Sequence, residues 1–97
     1  ENIADCEVVG ISANGYEIPV AHIIVKEGCE SYEDKVIETI HMYCQQKLPE
    51  DAVPCGYKIC KSFPVKDSGK RDIELIMRDR TNFVVPIGDG ILKEISF

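Results

Sequence analysis

No stretch of this chain approaches the ~18 consecutive apolar residues of a membrane-spanning helix, and no basic-then-apolar leader opens it. A membrane span is therefore not expected. The cysteines at positions 6, 29, 44, 55 and 60 include no Cys-x-x-Cys pair, and no paired-histidine spacing accompanies them. That argues against a structural zinc site. An odd count of five fits reduced thiols in a cytosolic protein, with Cys6 and Cys44 at positions that read as core. Basic charge is scarce over the first half, where residues 1–56 hold three lysines against eleven acidic residues. With a net charge of −6, the chain is a poor candidate for general nucleic-acid binding. Two phosphate-binding patterns are also missing. Gly69-Lys70 is no P-loop, because Pro64 stands where its first glycine belongs and Arg71 where Ser or Thr belongs. Gly88 and Gly90 lack the third glycine and the strand-to-helix setting of a dinucleotide fold. No internal repeat, linker or low-complexity segment is present.

What is present is an ordinary globular composition with one uneven feature. Ninety-seven residues allow one small domain, able to bury a little over ~60% of its unfolded surface. The chain opens on Glu1 rather than Met and reaches its first strand within a few residues, which suggests a piece of a longer protein. Residues 57–80 reverse the charge balance: Lys58, Lys61, Lys66, Lys70, Arg71, Arg78 and Arg80 stand against Asp67, Asp72, Glu74 and Asp79. The centre of that region is the loop 62–72, SFPVKDSGKRD. Gly69 tolerates backbone angles that a side chain forbids, so the chain can turn there and project Lys70 outward. Ser68 offers a cap oxygen to a following helix. A lysine so placed can carry positive charge to an anionic group, which suits a small phosphorylated ligand; chance clustering on a solvated face is the alternative. Asp67 and Asp72 flank Lys70 and read either as a polar pair that holds the loop or as solvent-facing charges.

In chain order, Ala4–Ser12 alternates loosely and reads as a strand. Ala13-Asn14-Gly15 is turn chemistry. Ile18–Lys26 is a continuous β-branched run and reads as a central strand, with Pro19 tolerated at its entry. The two predict an antiparallel hairpin. Ser31 with Asp34 three residues on reads as a capping box, followed by helical spacing of Val36, Ile37, Ile40, Tyr43, Cys44 and Leu48 until Pro49 stops it. Tyr57–Phe63 alternates and reads as a third strand, joined to the second by a crossover through the helix. Asp72–Arg80 reads as a short helix, and Phe83–Ile87 and Ile91–Phe97 as two short strands around a glycine turn. His22 falls mid-strand and His41 mid-helix, with no nucleophile placed near either, so both read as structural. The fold expected is α+β: a small mixed three-stranded sheet of hairpin plus crossover strand, one long and one short helix, and an extra C-terminal hairpin-like segment.

Three stretches carry a family likeness. Residues 3–10, IADCEVVG, are similar to a strand pattern V-x-x-A-x-V-V-G; residues 15–21, GYEIPVA, to G-E-x-P-x-A with Tyr16 as one extra residue. Leu48-Pro49, Val53-Pro54 and residues 63–70, FPVKDSGK, follow L-P-x-x-x-x-P and L-P-x-T-x-S-G-K. Over roughly residues 3–80 the chain thus resembles the small C-terminal domain of the adenylate-forming enzymes: acyl- and aryl-CoA synthetases, peptide-synthetase adenylation domains and luciferase. It departs from the pattern at Lys66, where Thr is frequent, and at Arg71-Asp72-Ile73, where I-x-R is usual.

The resemblance implies a role. Residues 1–80 would be the mobile lid of an ATP-dependent acyl-CoA synthetase and 81–97 a C-terminal extension. Lys70 would be the catalytic lysine, with Ser68 and Gly69 as cofactor-binding residues beside it and no metal ligand in the chain. ATP with Mg would be bound mainly by a large N-terminal domain, the lid's partner. A carboxylic acid would be the substrate and CoA the co-substrate. The fragment alone would be inactive. A peptide-synthetase adenylation domain, or a stand-alone metabolite-binding or dimerisation module, is the alternative.

Overall fold

The computed structural model describes residues 3–97. Its architecture is α+β, a five-stranded mixed sheet with one long and one short helix. Strand β1 (Ile3–Ala13) turns at Asn14 and Gly15, both at positive φ, into β2 (Tyr16–Val25). Such a pair of left-handed residues matches the twist of the flanking strands, and β1 and β2 pair antiparallel, Val9 opposite Val20 and Glu7 opposite His22. Helix α1 (Glu33–Lys47) then crosses over to β3 (Tyr57–Ile59), which lies parallel to β2. Helix α2 (Ile73–Met77) leads to β4 (Phe83–Gly88) and β5 (Ile91–Ile95), an antiparallel hairpin. Spatial order follows chain order, β1 to β5, so β2 is interior. The sheet has two strands more than the hairpin-plus-crossover core expected, because the C-terminal hairpin joins it along β3.

Two local expectations are corrected. Helix α1 does not begin with a Ser31–Asp34 capping box: a 3-10 turn, Glu30–Tyr32, precedes it, and Tyr32 occupies the cap without a side-chain hydrogen bond. Glu33 and Asp34 in the first turn and Lys47 in the last complement the helix dipole instead. Its end is as expected, with Leu48 extended (φ −114°, ψ 152°) before Pro49. The third strand is three residues long rather than reaching Phe63. The parallel ladder closes with the Cys60 amide donating to the Ile23 carbonyl at 2.8 Å. Beyond it Pro64 has no N–H to offer a ladder, and Phe63 turns into the core instead.

The sheet buries both faces. Ala21, Ile23 and Tyr57 pack with Ile37 of α1 on one side. Val9, Ile11, Val20 and Phe83 pack with Ile76 of α2 on the other, joined by Phe63, Ile73, Ile95 and Phe97. Tyr57 and Phe83 are fully buried, one on each face. The Tyr57 hydroxyl meets His41 Nδ1 at 2.8 Å, so its polar end is satisfied across to α1. Phe83 stands edge-on to His22 and Phe97, with ring centroids 5.4 and 5.6 Å away. Gly56 lets the backbone pass beside it: a Cβ there would lie 3.1 Å from Phe83 Cβ. Cys6, expected in the core, is exposed, because it falls on the alternate face of β1 toward that strand's free edge. Cys44 is half-buried. No helix is long and apolar enough to cross a membrane among the described residues.

Replacing Phe83 by Ala should lower the stability of the chain by about 3–5 kcal/mol, read as a shift in the urea midpoint at unchanged slope. A loss under about 1 kcal/mol would show that the C-terminal hairpin is not part of the cooperative core.

Candidate functional site

The loop after β3 is a small hairpin. Val65 and Arg71 bridge antiparallel. The Lys66 amide donates to the Lys70 carbonyl at 2.7 Å and the Gly69 amide to the Lys66 carbonyl at 2.8 Å. Gly69 sits at φ +88°, where a Cβ would be strained although nothing crowds it. A turn closed by one left-handed residue is a common three-residue hairpin loop. At the hairpin's foot the Asp72 amide donates to the Pro64 carbonyl at 2.9 Å.

Asp72, not Ser68, caps the following helix. Its Oδ1 accepts from the Leu75 amide at 3.2 Å, because the Val65–Arg71 bridge carries the chain past the turn before the helix begins. The two aspartates thus differ: Asp72 holds structure and Asp67 is exposed with Lys66, Ser68 and Gly69. Lys70 is exposed too, and its ammonium has no hydrogen-bond or ion-pair partner among the described residues.

Arg71, its neighbour, is the residue that sequence reading missed. Arg71 reaches in to β1, whereas Lys70 is exposed. The Arg71 guanidinium donates through Nη1 to Glu7 Oε1 at 2.8 Å and through Nη2 to Asp5 Oδ2. Its plane also lies over the Phe63 ring, 4.4 Å from the centroid. Asp5 and Glu7 stand two apart on β1, on the same face as the core residues Val9 and Ile11. The signal was there: two carboxylates on the inward face of a strand ask for a cation. The Glu7 hydrogen bond, followed by that of Asp5, pushes the Arg71 pKa above its ordinary value against the opposing cost of desolvation.

A second polar group lies on the same face. Lys58 pairs with Asp79, donates to the Thr81 carbonyl at 3.1 Å and stands over the Phe83 ring. Beside it His22 is buried, its Nδ1 3.7 Å from Cys60 Sγ and its Nε2 without a partner among the described residues. Burial lowers the His22 pKa, with Asp79 opposing and Lys58 assisting. Burial likewise pushes the Cys60 thiol up, which makes it a poor nucleophile. The fold thus brings a cysteine beside His22, where no nucleophile was expected, because β3 pairs with β2 there; His41 is bonded to Tyr57. Among the described residues no group of three or more His, Cys, Asp or Glu could hold a metal ion.

A histidine buried neutral binds its proton more readily unfolded, near pH 6.5. Stability is then full above that value and falls as pH drops through the lowered folded value. Urea unfolding should give a smaller free energy at pH 5.5 than at pH 7.5. His22→Leu should shrink that difference without abolishing it, because burial lowers His41 too. An unchanged difference in His22→Leu would exclude His22 as a source.

Comparisons with known proteins place the fold. Solved structures share the fold: an amide bond synthetase from Marinactinospora thermotolerans (22% identity, TM-score 0.67), an acyl-CoA synthetase from Brucella canis (23%, 0.65) and a fatty acyl CoA synthetase from Mycobacterium tuberculosis (18%, 0.61). Each likeness covers 79% of this chain but only 14–15% of the other. A comparison with curated protein sequences found no match. The model of the AMP-binding enzyme C-terminal domain matches residues 1–70, a span that ends on Lys70. The chain belongs to that family, the C-terminal domains of AMP-binding, adenylate-forming enzymes.

Proposed function

We propose that this domain is the mobile lid of an ATP-dependent acyl-CoA synthetase and that Lys70 is its adenylation lysine. One observation carries the reading: an unpartnered ammonium projects from a hairpin whose other face is fixed to the sheet. In this reading residues 1–80 form the lid and 81–97 an added hairpin. The large N-terminal domain holds the carboxylic acid, ATP and its Mg. Lys70 approaches the acid's carboxylate and the α-phosphate, lowers their mutual repulsion and stabilises the charge that develops as the acyl-adenylate forms. Ser68 and Gly69, exposed beside it, are the cofactor-facing part of the loop. The lid then swings, carrying the hairpin away, and CoA takes the acyl group. An exposed ammonium of this kind suits a phosphate. The likeness to an amide bond synthetase makes an amine the alternative acceptor.

In the full-length enzyme Lys70→Ala should reduce acyl-adenylate formation by about 10²–10³-fold. Thioester formation from preformed acyl-adenylate should persist. If both half-reactions survive, Lys70 is a surface charge and not the adenylation lysine. The 97-residue chain alone should release no pyrophosphate from ATP and acid.

A further inference from the structure

We infer that Arg71 is a positioning residue for Lys70: its clamp on Asp5 and Glu7 sets where the Lys70 ammonium stands. The inference rests on the reading of Lys70 given above.

The hairpin's own hydrogen bonds, Lys66 to Lys70 and Gly69 to Lys66, fix its shape but not its direction. From Val65 to Lys70 every residue is exposed, so packing does not aim it either. Its two feet are tied, by Phe63 in the core and by the Asp72 cap. Between them Arg71 supplies the side-chain hydrogen bonds that join the hairpin to β1. The geometry suits arginine alone. Two nitrogens of one rigid fork reach two carboxylates 64 and 66 positions earlier in the chain, while the guanidinium face rests on Phe63. A lysine, with one charged atom, could not span Asp5 and Glu7 and keep the stacking.

The clamp is a poor stabiliser. Side-chain exposures of 32% for Arg71, 45% for Asp5 and 26% for Glu7 leave it in partial contact with water, where such pairs contribute little to folding. Its consequence is directional. Lys70 immediately precedes Arg71 in the chain, so a tilt of the hairpin moves the ammonium, and a misplacement of ~1 Å can cost on the order of 10²-fold in rate.

The test uses the full-length enzyme with both half-reactions assayed separately. Arg71→Met should lower the kcat of adenylation by about 10–100-fold. KM for ATP and acid and the thioester half-reaction should stay at wild-type values, as should the thermal midpoint. Arg71→Lys should recover only part of the loss, and the Asp5→Asn, Glu7→Gln double variant should reproduce it from the other side of the clamp. Added to Lys70→Ala, Arg71→Met should cause no further loss, because it acts through Lys70. A loss that multiplies with Lys70→Ala, an equal loss in both half-reactions, or a harmless acid-side double variant would overturn the proposal. Full adenylation by Lys70→Ala would instead overturn the reading of Lys70. An inactive Lys70→Ala with a fully active Arg71→Met would overturn the clamp alone.

Discussion

The Arg71 guanidinium, held by two carboxylates and a ring, is the contact on which the site depends. It solves a conflict set by the chain. Asp5 and Glu7 lie on the face of β1 that carries Val9 and Ile11, partly exposed and two positions apart. Lys70, in the proposed reading, has to remain exposed and unpaired to reach another molecule. Placing a cation at 71 satisfies the acids and leaves the neighbouring Lys70 exposed. One interaction thus pairs two partly exposed carboxylates of β1 and ties the Lys70 hairpin to that strand.

The rest of the fold provides a firm base for that contact. Phe63 is both the ring under Arg71 and a member of the core that includes Val9, Ile76 and Phe83. Phe83 is contributed by the C-terminal hairpin, so residues past the family match help to hold the surface on which the clamp is built. Arg80 adds a tie at the far end of β1, donating from Nη1 to the Ser12 carbonyl at 2.6 Å, while its own carbonyl accepts from the Phe97 amide. On the opposite face α1 covers the sheet incompletely. Tyr43 and Leu48, which continue its apolar spacing, are exposed.

Much of this was legible in the residues, and the parts that were not share a cause. The β1–β2 hairpin announced itself through Asn14-Gly15, helix α1 through its spacing and Pro49, and the Lys70 turn through Gly69. Each is a local signal with a local outcome. The missed features depend on partners distant in sequence. Alternation continued to Phe63, yet β3 ended at Ile59, where Phe63 left for the core of the other face. Ser68 had the chemistry of a helix cap, but the Val65–Arg71 bridge extended the chain past it and gave the position to Asp72. Cys6 had an apolar setting, but it lies near the free edge of the sheet. The clamp joins residues more than sixty positions apart, and only the paired acids on β1 hinted at it.

The order of the hairpin in solution tests the central claim most directly. Backbone order parameters measured by NMR for residues 66–71 should lie near those of β1, about 0.85, and should fall below about 0.6 in Arg71→Met while β1 stays unchanged. A hairpin equally ordered in both proteins, or already mobile in the wild type, would contradict the account, because Arg71 would then not be what aims Lys70.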